Sequence, residues 1–154
     1  MKSRIILLLF SLLLLAGSCV KPKDHDVYLF VYNRSSYNLS WELIPGHRDQ
    51  WRHEFLGAPA STKEELLTIL RKETGSDNPS FTFWILDYEN SEAHEVGSIG
   101  CEKCNFDYSS FTDGLLGSVT MMYDYTLNID DSLLSEAAAA NGVDFSSFEG
   151  MKKK

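Results

Sequence analysis

Positive charge is scarce in this 154-residue chain: 14 lysines and arginines face 22 aspartates and glutamates, for a formal net charge of −8 and a pI near 4.9. Nucleic-acid binding needs a concentrated basic face that displaces phosphate counterions, so this composition argues against a nucleic-acid partner. Long apolar runs are missing too. The longest, Ile5 to Ala16, is interrupted by Ser11 and stays below the roughly 18 residues a membrane-spanning helix requires. No serine sits in a G-x-S-x-G turn, no glycine-rich phosphate loop occurs, and no pair of carboxylates is singled out for acid–base work. Nothing in the sequence therefore marks an enzyme or a resident cofactor. Internal repeats and low-complexity blocks are absent. What remains is 44% hydrophobic, 12% aromatic and 23% charged, which is too apolar for disorder and of a length that suits one domain.

The N-terminus reads as an address. Lys2 and Arg4 precede the apolar run, and Gly17, Ser18 and Cys19 follow it, the layout of an exported chain's signal peptide over residues 1–18. The segment Ala16-Gly17-Ser18-Cys19 resembles the lipobox of bacterial lipoproteins, in which the cysteine takes a diacylglycerol and becomes the mature N-terminus. The usual leucine three residues before the cysteine is replaced by Ala16, with Leu15 one place further back. An ordinary secretory signal is the alternative, since Ala16 and Ser18 also suit the common signal peptidase. Cysteine arithmetic favours the lipid: acylation of Cys19 leaves Cys101 and Cys104 as an even pair in an oxidising compartment. Loss of residues 1–18 removes two bases and no acid. The mature body would then be repelled by anionic headgroups, so its attachment must rest on acyl chains.

After a tether over residues 19–26, the chain reads as mainly β: a sandwich-like domain over residues 27–140, one packed helix, a short C-terminal helix, and a flexible tail over 141–154. Asp26 to Asn33 places Val27, Leu29 and Val31 on one face, and Tyr37 to Ile44 aligns Leu39, Trp41 and Leu43. Arg34-Ser35-Ser36 between them predicts a hairpin. Pro45-Gly46 closes the second strand, and Arg48 to Phe55 offers a third with Trp51, His53 and Phe55 on one side. Residues 62–74 carry a capping box and an apolar stripe, Leu66, Leu67, Ile69 and Leu70, ended by Gly75. Phe81 to Leu86 is apolar on both faces and predicts a central strand covered by a helix. Two short strands are expected near 95–99 and 106–108. Ser118 to Ile129 alternates cleanly and predicts a long strand near the middle of a sheet, followed by a helix capped by Asp130 or Asp131.

With these elements in place, the chain resembles small envelope lipoproteins of the Bacteroidetes. The likeness rests on the lipobox, on a strand carrying Val31-Tyr32-Asn33 followed by Ser36, Tyr37 and Leu39, on Pro45-Gly46, and on Tyr123 to Leu127 running into an acidic helix start. It implies a periplasmic or surface location at the outer membrane and supplies no activity.

Several residue sets could carry chemistry. Cys101-Glu102-Lys103-Cys104 is a C-x-x-C pair, which can be a structural disulfide, a redox couple or half of a zinc site. Flanking glycines and the absence of a βαβ pattern favour the disulfide, and His94 is the one nearby candidate for a further metal ligand. His47, Asp49 and His53 share one strand face and could offer nitrogen and oxygen to a metal, although a solvated outer face is the expected reading. Asp87, Glu89, Asn90 and Glu92 are rich in oxygen but lack the spacing of a calcium loop. Trp41, Trp51 and Trp84 could form a sugar-stacking platform or simply fill the core. Asp131-Ser132-Leu133 resembles the acceptor for O-glycosylation of exported Bacteroidetes proteins, with Ser132 as the acceptor. The expectation is an acyl-anchored envelope protein that acts as a binding or structural module toward a protein or glycan partner. The leading alternative is a thiol-disulfide oxidoreductase using Cys101 and Cys104.

Overall fold

The computed structural model describes residues 25–56, 59–113 and 120–153. The signal segment, Cys19 and the tether lie outside them. Seven strands are ordered β1 (His25–Asn33), β2 (Leu39–Glu42), β3 (Arg52–Leu56), β4 (Ser80–Asp87), β5 (Glu92–Gly100), β6 (Phe106–Asp113) and β7 (Thr120–Ile129). Helix α1 (Lys63–Thr74) lies between β3 and β4, α2 (Asp131–Ala140) follows β7, and a 3-10 helix spans Phe145–Met151. The strands form a four-stranded sheet, β3-β1-β7-β6, and a three-stranded sheet, β2-β4-β5. The domain is mainly β, as its alternating patterns require. None of the described helices is long and apolar enough to cross a membrane.

Period-two alternation explains both sheets. Val27, Leu29 and Val31 of β1 turn inward beside Tyr123, Tyr125, Leu127 and Ile129 of β7, all of them buried. Phe81, Phe83 and Ile85 of β4 supply the opposing layer, with Leu39, Trp41 and Ile99. A single apolar cluster joins these with Leu66, Leu67, Ile69 and Leu70 of α1 and Leu134, Ala137 and Ala138 of α2. Each fully buried aliphatic side chain contributes about 1.5–3 kcal/mol. Helix α1 starts where the pattern places it: Thr62 accepts from Glu65 N–H while Glu65 accepts from the Thr62 N–H, and Gly75 ends the helix in the left-handed conformation (φ +67°). The Tyr125 hydroxyl ties this start to the sheet, lying 3.0 and 2.9 Å from the Ala60 and Thr62 carbonyls.

The predicted hairpin between the first two strands does not form. β1 pairs antiparallel with β3 and parallel with β7, while β2 pairs with β4 in the other sheet. The turn chemistry at 33–37 builds a crossing between sheets. The Asn33 side chain accepts from the Ser35 N–H and hydroxyl and donates to the Tyr37 carbonyl at 2.9 Å, and the Tyr37 N–H donates to the Ser35 hydroxyl. These bonds satisfy the turn from within, so no strand-to-strand ladder is needed across it.

The strands near 95–99 and 106–108 are longer than their patterns predict, because both are edges and carry polar residues where one side meets water. The C-terminal segment, read from sequence as a flexible tail, is built into the domain. Asp144 caps the 3-10 helix, Phe148 is buried, Phe145 packs edge-on against Tyr37, and Tyr37 bridges to Lys152.

Candidate binding surface

The side of the four-stranded sheet that faces away from the core is where unexplained residues gather. Since Val27, Leu29 and Val31 point in, Tyr28, Phe30 and Tyr32 point out. Their rings form a row, with centroids 6.2 Å apart for Tyr28 and Phe30 and 6.4 Å for Phe30 and Tyr32, the latter pair within 4° of parallel. Trp51, just ahead of β3, stacks on Phe30 at 6.0 Å. Tyr32 and Trp51 are 38% and 56% exposed, so solvent reaches the upper part of the row. Arginines border it: the Arg52 guanidinium lies 4.3 Å from the centre of the Tyr28 ring, and that of Arg34 5.5 Å from Tyr32. Arg52 also meets Glu54 at 3.5 Å, and the Tyr28 hydroxyl reaches Glu54 at 3.4 Å.

Polar groups share this face. In the parallel register Asp124, Thr126 and Asn128 of β7 stand beside Tyr28, Phe30 and Tyr32. Asp124 Oδ1 is buried without a hydrogen-bond partner. Desolvation holds its carboxyl above the ordinary aspartate range, with Arg52 pulling the other way. The surface therefore combines flat rings with a covered carboxylate at its Tyr28 end. A row of rings takes up the apolar face of a ligand, and polar side chains beside it take up hydroxyls.

Of the three tryptophans weighed from sequence, the structure brings only Trp51 to this row. Trp41 is buried in the core, and Trp84 lies on the outward face of the other sheet with the Arg48 guanidinium 4.5 Å above its ring. Tyr28, Phe30 and Asp124 belong to no chemical motif in the sequence, although the alternation that sends Val27, Leu29 and Val31 inward already implies an aromatic outer face.

Cys101 and Cys104 are both buried and both free thiols. They sit in a tight turn after β5, with the Lys103 N–H donating to the Gly100 carbonyl and the Cys104 N–H to the Cys101 carbonyl. The Lys63 ammonium reaches over from α1 to the carbonyls of Cys104 (2.6 Å) and Glu102 (2.8 Å). Burial pushes the Cys104 thiol up to about 12 against a weaker downward pull from Lys63, and raises Cys101 further, helped by Cys104. A thiol that attacks disulfides needs the opposite shift.

The set His47, Asp49 and His53 is partly assembled. His53 is not on a solvated face: it is 4% exposed and stacks on Phe55. His47 is exposed, with its ring centroid 6.3 Å from that of His53. Asp49 is drawn off to hold the loop, its Oδ1 accepting from the Trp41 N–H at 2.8 Å. Among the described residues no group of three metal-ligating side chains converges. The oxygen-rich turn is the β4–β5 connection, where Asp87 accepts from the Glu89 and Asn90 N–H groups and the Asn90 amide. That turn and the 3-10 helix border a shallow cleft of about 460 Å³. Two of the cleft's charged groups are engaged nearby, Asp87 as described and Lys152 with Glu149 at 2.8 Å. Ser132 is exposed on the first turn of α2. Asp130 caps that helix, and Asp131 accepts from the Ser36 N–H at 2.7 Å.

Compared with known proteins, the chain matches no family model, no curated protein and no solved structure.

Proposed function

We propose that the protein is an acyl-anchored envelope lipoprotein, tethered through Cys19 at the outer membrane, whose domain binds carbohydrate on the outward face of its four-stranded sheet. One observation carries the reading: the rings of Tyr28, Phe30, Tyr32 and Trp51 line one outward sheet face, open to solvent at Tyr32 and Trp51, with Thr126 and Asn128 of β7 beside Phe30 and Tyr32. A pyranose ring offers an apolar face to an aromatic ring and hydroxyls to the polar side chains beside it in the same step. An enzyme reading has less support, because the one sharp chemical motif, Cys101 and Cys104, holds its thiols buried and protonated.

Affinity electrophoresis through gels containing neutral polysaccharides tests the site. The domain should be retarded by at least one of them, and Trp51→Ala together with Phe30→Ala should abolish the retardation. No retardation by any polysaccharide, or retardation that survives both substitutions, sinks the proposal. The anchor is tested separately: Cys19→Ala should release the protein from membranes into the soluble fraction. Export to an oxidising compartment should close Cys101 and Cys104 into a bridge. The exported protein should then resist alkylation after unfolding until a reductant is added, and should not reduce insulin.

A further inference from the structure

Each sheet ends in two edge strands, and β2, β5 and β3 are guarded. The outer side of β2 is taken by the loop that follows it: the Asp49 N–H donates to the Trp41 carbonyl, the Asp49 carboxylate accepts from the Trp41 N–H at 2.8 Å, and Glu42 bridges to Arg48. β5 shifts register against β4 beside Phe83, and the Asn141 amide donates to its Ser98 carbonyl at 2.8 Å. β3 is short and carries Arg52, His53 and Glu54 in succession. Short strands, bulges and charged side chains are the devices that keep sheet edges from pairing with other chains.

β6 has none of these. It runs Phe106–Asp113 without lysine, arginine, proline or glycine, pairs with β7 without a register shift, and among the described residues no main-chain hydrogen bond from another element reaches its free side. Residues 107–112 are exposed, and the rings of Tyr108 and Phe111 stand largely in water. The strand's only charges are Asp107 and Asp113, near its two ends. Their placement decides what can pair with it. An antiparallel partner continues a sheet only if each residue meets one that points to the same face. For two copies related by a two-fold axis, the register therefore centres on a residue and not between two. Centred on Ser109, it pairs residues 106–112 of both copies, sets Asp107 opposite Phe111 and Tyr108 opposite Ser110, and brings the two Tyr108 rings into the diagonal contact that long side chains reach. Centred on Ser110, it sets Asp107 against Asp113 twice, and like charges directly opposite repel.

We propose that β6 is a homodimer interface: two copies of the chain join antiparallel along β6 in the register centred on Ser109, and their four-stranded sheets run together as one. The open N–H and C=O groups of each β6 are satisfied by the other copy, and the two-fold axis closes the assembly after one partner. A single strand pair is a small interface, so the dimer dissociates at roughly micromolar concentration. Ser109 and Phe111 share the outward face with Asp124 and Met122 of β7, so dimerisation sets both ring rows on one side of a continuous sheet. The interface does not depend on what those rows bind.

Sedimentation velocity of the full chain over a concentration series should show monomer passing to dimer and no further. Ser109→Lys, at an exposed position, sets two like charges face to face at the centre of the register and should raise the dissociation constant at least about tenfold. An unchanged thermal midpoint shows that the fold of this variant stands. Ser109→Cys reads the register itself: the two Cβ atoms face each other at about 4.5–5.5 Å, near the span of a disulfide. It should give a bridged dimer on non-reducing gels beyond the background of the wild-type cysteines, and Ser110→Cys, one place along and on the other face, should bridge far less. A chain that stays monomeric at every concentration reached overturns the proposal. So does a dimer that Ser109→Lys leaves intact, an assembly that grows past two copies, or a Ser109→Cys bridge to a different protein.

Discussion

The outward faces of the two sheets are built from the same alternation and end up as different surfaces. On the three-stranded sheet the outward residues include Ser40, Glu42, Thr82 and Ser98, with Thr82 and Ser98 hydroxyls 2.8 Å apart, and the one large aromatic, Trp84, roofed by Arg48. On the four-stranded sheet the outward positions of β1 are Tyr28, Phe30 and Tyr32, extended by Trp51 and bordered by Arg34 and Arg52. The first surface is mostly closed, with Thr82 paired to Ser98 and the single ring covered by Arg48. The second leaves rings in water and a carboxylate oxygen without a donor. Inward faces decide the fold and are equally apolar in both sheets, so the asymmetry outside is not needed for folding.

The largest effect that tests this contrast comes from crossing the sheet at neighbouring positions. Leu29→Ala, at a fully buried site between β3 and β7, should cost about 2–5 kcal/mol in urea unfolding. Trp51→Ala on the outer row should stay within about 0.5 kcal/mol. A Trp51→Ala cost in the range of Leu29→Ala would make the row a second core and remove the distinction.

Adjacent residues of β7 give a finer comparison. Tyr125→Phe removes the hydroxyl that reaches Ala60 and Thr62 and should cost about 1–2 kcal/mol. The tyrosine is pushed up to about 12 by burial, with the nearby Tyr108 hydroxyl next. Its folded value lies above its unfolded one, so its contribution is complete below about pH 10 and fades toward pH 12; the Phe variant should lose that part of the alkaline slope. Asp124→Asn, one residue earlier and facing out, should leave stability unchanged or raised at pH 7. The raised carboxyl means that the folded state holds its proton longer, so the wild type loses a little stability as pH climbs through the carboxylate range, and the Asn variant should not. A pH titration of unfolding free energy for both variants separates the two faces.

A bridge formed between Cys101 and Cys104, which are free thiols in the structure, should matter less than the core. Its closed loop is short, so reduction of the oxidised form should lower stability by about 1–2 kcal/mol, below the usual range for longer loops. Arg48→Gln should uncover Trp84 at a cost of about 0.5–1 kcal/mol. The readout is tryptophan emission, which should shift to the red in this variant.

Much of the β architecture was legible because its central strands alternate strongly. β7 declared itself through Met121, Tyr123, Tyr125, Leu127 and Ile129, and α1 through its capping box and leucines. Edge strands did not, because a residue that meets water on one side and an open edge on the other obeys no clean alternation; β5 also carries a bulge near Phe83 and a left-handed Gly97 under Asn141. The failed hairpin shows a second limit. Asn33, Ser35 and Tyr37 make a self-contained turn that reads like a hairpin connection, and only long-range pairing reveals that the strands on either side belong to different sheets. For the candidate surface, the period of β1 already sent Tyr28, Phe30 and Tyr32 outward. The position of Trp51 beside them depends on how β3 returns to the sheet, which no local pattern encodes.

The parallel register of β1 and β7 sets an order of events for making the protein. His25 pairs with Met121 and Asn33 with Ile129, so the first strand must wait for nearly the whole chain before its second neighbour exists. Contacts of such long sequence separation slow folding and leave intermediates exposed. Until then β1 has β3 on one side and an open ladder of N–H and C=O groups on the other, fronted by Tyr28, Phe30 and Tyr32, a template for pairing with other chains. A chain interrupted before residue 120 would keep that edge permanently. Such fragments should aggregate through β1, and a holdase acting on the growing chain should find its chief target in residues 25–33.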